Sequence, residues 1–258
     1  MCLNYIEQTL FHTIAPPRDV AAIIVEPIQG EGGYIVPEDG FLEGLRAICD
    51  KHGILLIADE IQSGAGRTGT MWAVDHWGVK PDILLAAKGI ASGMPLGALI
   101  ARAELLERWG PGAHGSTYGW NPVACAAALA TLDLLEGGLV ENAATRGEQA
   151  LTALRPLIDR FDGLVIDVRG KGLMLGVEFD TADHAEEVQW ACFERGLLVL
   201  ESGRTSVRLS PALTVSEAEM TTALRIFIEA IEAVAGNDQA VLADATAAGA
   251  ITGVEAAG

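Results

Sequence analysis

The 258-residue sequence predicts an α/β chain in which a mostly parallel sheet, covered by helices, is followed by a small α+β domain. Two patterns lead to that reading. Short all-apolar runs at residues 21–25, 54–58, 83–87 and 96–101 alternate with a helical pattern at 40–52 and with glycine loops. Strands buried on both faces and joined by crossovers read in this way. From about residue 162 the pattern changes to strand-like GLVIDVRG and LMLGVEF, then a helix at 182–195, short strands around Leu197 and Val207, and a helix over 216–234. Glu217 and Glu219, just after Ser216, suit the positive end of that last helix. A long helical stretch at 123–157, broken near Gly137 and Gly138, joins the two parts. The expected divisions are therefore 1–157, 158–235 and an Ala/Gly-rich tail, 236–258, whose lack of amphipathic period predicts mobility.

Composition narrows the function classes. The net charge of −18, from 35 acidic and 17 basic residues, argues against non-specific nucleic-acid binding. No apolar stretch reaches the roughly 18 residues of a membrane span, and the start shows no secretory signal, so a cytoplasmic location with no membrane partner is expected. Cys2, Cys49, Cys125 and Cys192 are far apart, with no C-x-x-C. The last three fall in apolar helical patterns and read as reduced core residues. The histidines are scattered, His114 included, and no metal site is expected.

The chemistry is carried by the ends of two apolar runs. Residues 54–58 end in Asp59-Glu60 and the loop IQSGAGRTG; residues 83–87 end in Lys88 and GIASGMPLGA. A lysine held past a buried strand is poorly solvated, which favours the neutral amine that attacks carbonyls. Pyridoxal 5'-phosphate needs such a lysine for its Schiff base and a carboxylate for its pyridine nitrogen, on opposite sides of the ring. Asp59 and Lys88 suit those two roles, with Lys88 also the proton carrier and Gln62 within reach of the ring hydroxyl. The competing reading of ILLIADE as a metal-binding strand of a nucleotide triphosphatase requires a G-x-x-x-x-G-K-[ST] loop. The sequence contains none.

Four strings in order, VEPIQGEGG (25–33), LLIADEIQSGAGRTG (55–69), AAKGIASGMPLGA (86–98) and HGSTYGWNPVACAAALATL (114–132), resemble the class III pyridoxal phosphate aminotransferases. That group includes the 4-aminobutyrate and acetylornithine enzymes. The resemblance covers residues 20 to about 135 and continues more loosely to about 235. It implies a fold-type I large domain, cut to its C-terminal part, before the small domain. It also implies a homodimer acting on amines or amino acids and 2-oxo acids. Glu26 resembles the acidic residue on the substrate side, which in some members pairs with a carboxylate-binding arginine. Thr117 matches the residue that contacts the cofactor phosphate, often of the neighbouring subunit. Arg208, in SVRLSPALTVSEAE, matches the arginine that grips the substrate carboxylate, a task for which its planar fork is suited. Read without the family, Thr117 caps the following helix, Arg208 is a surface residue and Glu26 is a strand terminus.

Two departures stand out. The family's phosphate-binding Ser/Gly/Thr loop and ring-stacking aromatic precede the segment where this sequence begins. Trp120 stands where a glycine is usual. The reading is thus transamination through Lys88. The alternatives are an amino-acid racemase on the same scaffold, or a truncated chain that needs a complementing one.

Overall fold

A computed structural model describes the backbone of residues 1–247 and side chains through residue 236. The apolar runs form a four-stranded sheet in the order β1 (Ala22–Val25), β2 (Leu55–Asp59), β3 (Ile83–Ala86) and β4 (Ala98–Ala101). The first three are parallel and β4 is antiparallel, as a mostly parallel sheet requires. The registers Ala58↔Leu84 and Asp59↔Leu85 bring the carboxyl ends of β2 and β3 level. Helix α1 (Phe41–His52) crosses from β1 to β2, and Gly53, left-handed at φ 69°, stops it. Leu42, Leu45, Ile48 and Cys49 on α1 bury against Ile54 and Leu56.

Alternate residues settle which face is covered. Leu56, Ala58, Leu84 and Ala86 are buried, under α1 and under α2 (Pro122–Leu134), whose Ala128 joins their cluster. The opposite face carries Ile24, 60% exposed, and Leu99, 40% exposed. Covering on both faces is therefore not met among the described residues, because both packing helices lie on one side. Asp59 belongs to the open face, in line with Leu85 and Leu99.

The predicted break in the long helix is real. α2 passes through a wide turn at Leu135–Leu139, where Gly138 takes φ 126°, into α3 (Val140–Leu154). By length and composition the run Pro122–Arg160 is apolar enough to cross a membrane. The bend at Gly138 divides it, and Ala143, Ala150, Leu151 and Leu154 bury its second half in the core beside the second sheet.

That sheet is antiparallel, ordered β5 (Val165–Lys171), β6 (Met174–Phe179), β8 (Ser206–Leu209), β7 (Leu200–Ser202). α3, α4 (Ala182–Glu194) and α5 (Glu217–Ala247) close its core around Phe179, Val177, Phe227 and Ile231. Ser216 Oγ accepts from Glu219 N–H while Glu219 accepts from Ser216 N–H, a reciprocal cap at the start of α5. α5 continues past residue 235 to Ala247, through alanine-rich sequence that favours helix; the rest of the expected tail, 248–258, lies outside the described residues. Cys49 and Cys192 are buried, and burial pushes the Cys192 thiol up to about 12, which keeps it inert; Cys125 is only half-buried.

The two sheets meet where only glycine fits. A Cβ on Gly172, itself at φ 53°, would lie 2.3 Å from the carbonyl carbon of Thr68, and one on Gly147 would lie 2.2 Å from Gly172 O. Arg67 braces this junction, donating to Leu173 O (3.2 Å) and Pro211 O (2.5 Å). Arg169 makes a second clamp. Its guanidinium donates to Gly33 O (3.1 and 2.7 Å), Ser206 Oγ (2.8 Å), Asp167 (2.9 Å) and Glu178 (2.5 Å), fixing the loop 29–35 against β6 and β8.

Two stability tests follow from these contacts. Asp82 is 10% exposed and accepts from Arg46 (2.8 Å) and from Leu56 N–H (2.9 Å), joining α1, β2 and the start of β3. Burial alone would raise its carboxyl; the Leu56 N–H and the Arg46 guanidinium outweigh that and hold it below the ordinary value. A depressed folded pKa gives stability that is present above the unfolded value, about 4, and is lost as pH falls through the folded one. Asp82→Asn should cost about 2 kcal/mol in denaturant unfolding at pH 7 and flatten the loss of stability below about pH 4. Arg169→Lys replaces a five-donor fork with a point charge and should lower stability by about 2–3 kcal/mol in the same measurement, despite keeping the charge.

Candidate active site

A cavity of about 580 Å³ opens past the carboxyl ends of β2 and β3, lined by Lys88, Gln62, Arg67, Glu31, Arg208 and the end of the long helix at Leu135. Its wall is locally strained. Tyr34, Ala65, Lys88 and Ser92 all line it, and all four are non-glycine residues with positive φ (54°, 52°, 45° and 46°). Such conformations cost roughly 1–3 kcal/mol each and cluster where geometry is imposed for function.

Lys88 opens a short 3₁₀ turn, Lys88–Ala91, directly after β3. The expectation of a poorly solvated amine is not met: Lys88 is exposed at the cavity, because no described residue covers its outer side. Asp59, at the end of the neighbouring strand, is half-buried and accepts from Ile61 N–H (3.1 Å). It is not among the cavity-lining residues.

Glu60, beside it, is buried, and the sequence reading assigned it nothing. Its carboxylate accepts from Ser63 Oγ (2.8 Å), Ala73 N–H (3.0 Å) and Val74 N–H (2.8 Å), closing the base of the loop that carries Gln62, Ala65 and Arg67. Burial pushes its carboxyl up, against the pull of those bonds.

The substrate-side expectation needs correction. Glu26 is exposed and, among the described residues, accepts only from Gly30 N–H (3.3 Å), so it shapes the turn and does not meet Arg208. Arg208, on β8, pairs with Glu31 (2.6 Å) and lies over the Tyr34 ring, 5.9 Å from its centre. The surface reading of Arg208 also fails, since its side chain is 17% exposed against 72% for Glu31. The bond from Arg208, then that from Gln62, holds the Glu31 carboxyl below its ordinary value. Glu31 was missed because a glutamate among glycines has no period; its neighbour is set by β8, far along the chain.

Gln62 lies in the cavity wall. Its Nε2 donates to Glu31 (3.1 Å), while its Oε1 is buried with no hydrogen-bond partner among the described residues. A buried carbonyl left without a donor costs about 1–3 kcal/mol. Arg67 is the third cation here, paired with no carboxylate among the described residues; burial pulls its pKa down. An amine, two guanidiniums and an orphaned amide oxygen against one carboxylate suit an anionic ligand with a hydroxyl and a carbonyl, and pyridoxal phosphate has these groups.

Thr117 is not brought to this cavity; it sits in an exposed loop. Nor does it cap α2: Asn121 Oδ1 does so, accepting from Val123 N–H (2.9 Å) and Ala124 N–H (3.4 Å). Trp120 is 91% exposed with φ 62°, a left-handed position that glycine takes at less cost. His114 lies against Trp109, away from the cavity.

Residues 1–231 match the family described as aminotransferase class-III. The acetylornithine aminotransferase of Methanopyrus kandleri is 46% identical over 216 residues, covering 83% of this chain and 54% of that protein. The 4-aminobutyrate aminotransferase of Escherichia coli is 39% identical over 234 residues, 86% of this chain and 55% of that one. The ornithine aminotransferase of Toxoplasma gondii, whose structure shows partial occupancy of pyridoxal phosphate at its active site, superposes with TM-score 0.84 at 36% identity, over 90% of this chain and 55% of that one. The chain spans about half the length of the curated relatives it matches. The chain belongs to the class-III aminotransferases, a pyridoxal-phosphate-dependent family.

Proposed function

We propose that this chain carries the lysine-bearing part of an aminotransferase that moves an amino group from an amine, ω-amino acid or amino acid to a 2-oxo acid. The observation that carries the reading is Lys88, set by a strained backbone at the mouth of a cavity it shares with Gln62 and Arg208. The relatives are named for acetylornithine, 4-aminobutyrate and ornithine, which supports a donor with a primary amine at the end of a carbon chain. Those names support transfer over racemisation.

Pyridoxal phosphate, when bound, supplies an electron sink for the substrate carbon. In this reading Lys88 would hold the cofactor and relay the proton at its Nζ; Asp59 would serve the ring nitrogen, Gln62 the ring hydroxyl, and Thr117, exposed and outside this cavity, the phosphate held by a neighbouring subunit. Arg208 grips the substrate carboxylate, which displaces the exposed Glu31; Glu26 supports the turn that carries Glu31. Residues 1–157 would form the cofactor-binding part and 158–235 the small domain.

A homodimer fits the remaining surface. α2 exposes Val123, Leu129 and Leu134, with Tyr118 and Trp120 beside it, an apolar face that a second copy would cover. The partners are then small amines and 2-oxo acids, with neither nucleic acid nor membrane, and the location is cytoplasmic.

Borohydride reduction after incubation with pyridoxal phosphate, followed by peptide mass mapping, tests the assignment. A single adduct on Lys88, lost in Lys88→Ala, is expected; equal labelling of Lys51, Lys80 and Lys171 would remove the proposal for this chain. In the active protein Arg208→Lys should raise KM for carboxylate-bearing donors about tenfold or more, while leaving simple amines nearly unchanged.

A further inference from the structure

We infer that Leu200 selects the carbon chain of the acid that Arg208 holds, favouring acids with bare methylenes beside the carboxylate over those with polar groups there. This rests on the proposed role of Arg208 as a carboxylate binder and adds an apolar determinant to that site.

The register of the second sheet places Leu200. Arg169, Gly176, Arg208 and Leu200 stand directly opposite one another on β5, β6, β8 and β7. Residues paired in this way share one face of a sheet, with neighbouring Cβ atoms about 5 Å apart. The first three members of the row face the loop 29–35. Arg169 donates to Gly33 O (2.7 Å), and Gly176 leaves room for Tyr34, whose Cβ would be 3.2 Å from a Cβ placed there. The buried Tyr34 ring then lies against the Arg208 guanidinium and closes that side of it. Leu200 ends the row on the edge strand, 58% exposed, and lines the same cavity as Arg208.

The edge strand is held on both sides. Ser202 Oγ donates to Gly30 O (2.9 Å), and Gly203 N–H donates to Glu31 O (2.8 Å), which ties β7 to the loop. Glu201 N–H donates to Gln189 Oε1 on α4 (2.8 Å). Leu200 is therefore fixed in its place beside the guanidinium. Leu134, 60% exposed, and Leu213 line the cavity from other elements. An acid on Arg208 thus has apolar surface to cover with its chain. Each methylene that covers it gains transfer free energy. A polar group set against Leu200 would lose water and gain no hydrogen bond from that side chain.

The test titrates the ¹⁵N-labelled full chain, without cofactor, with sodium acetate, propionate, butyrate and valerate. The Arg208 Nε resonance, assigned by its loss in Arg208→Lys, reports binding at this site. Affinity should rise about twofold to fourfold per methylene, the worth of a CH₂ partly or wholly removed from water. Methoxyacetate, the length of butyrate with an ether oxygen in place of one methylene, should bind no better than propionate. In Leu200→Asn, confirmed folded by its dispersed spectrum, the gain along the series should vanish while acetate affinity changes less than twofold. Leu200→Met should keep the gain. A flat series in the unaltered chain, methoxyacetate equal to butyrate, or a gain that survives in Leu200→Asn would overturn the selection and leave Arg208 as the carboxylate binder. An Arg208 Nε that responds to none of the acids would remove that binding role, and the selection with it.

Discussion

Three stretches of main chain touch at Gly172, and the rest of the structure is arranged around that contact. The turn between β5 and β6, the loop after β2 and the helix α3 approach so closely that a methyl group on Gly172 or Gly147 would overlap backbone atoms. Backbone packed on backbone has no rotamers to relax, so the two sheets are fixed at one separation. Arg67 adds donors across the same seam. The cavity is the space this spacing leaves: its floor and Lys88 come from the first sheet, and Arg208 comes from the second. Asp82 and Glu60 act within the first sheet, one tying strands to a helix and the other closing a loop. Neither would place Arg208 without the junction.

Within that frame, magnitudes separate what is fixed from what is movable. Arg169 has five donations to four residues around Gly33 and is nearly enclosed; the loop it holds is part of the scaffold. The Arg208–Glu31 pair is shorter than most of these bonds, yet its carboxylate is in water, where such a pair contributes at most about 1 kcal/mol. A short distance is therefore a poor guide to strength here. The site combines a rigid guanidinium with a loosely held anion, an arrangement suited to receiving an acid.

Much of this was legible in the residues. The apolar runs gave the strands, and the termini of two of them gave Asp59 and Lys88, because a buried parallel strand forces its chemistry to its carboxyl end. The bend at Gly138 and the cap at Ser216 were readable for the same local reasons. What escaped was non-local. Glu31 and Glu26 stand in one short string, and only the position of β8 decides which meets Arg208. The cap of α2 was placed on the family-matched Thr117 rather than on Asn121, the residue that precedes Pro122. The open sheet face and the exposure of Lys88 depend on which side the helices pack, and apolar runs alone do not record it.

The cation-lined cavity sits in a chain of net charge −18. An anionic ligand approaching from solution first meets a repulsive field and feels the three cations only within about a Debye length, roughly 8 Å at physiological ionic strength. Entry and retention then respond to salt in opposite senses. Added salt screens the long-range repulsion and speeds arrival, while it weakens the close contacts and speeds departure. Ionic strength would then act on an acid's arrival and departure separately, in a way that the shape of the pocket does not.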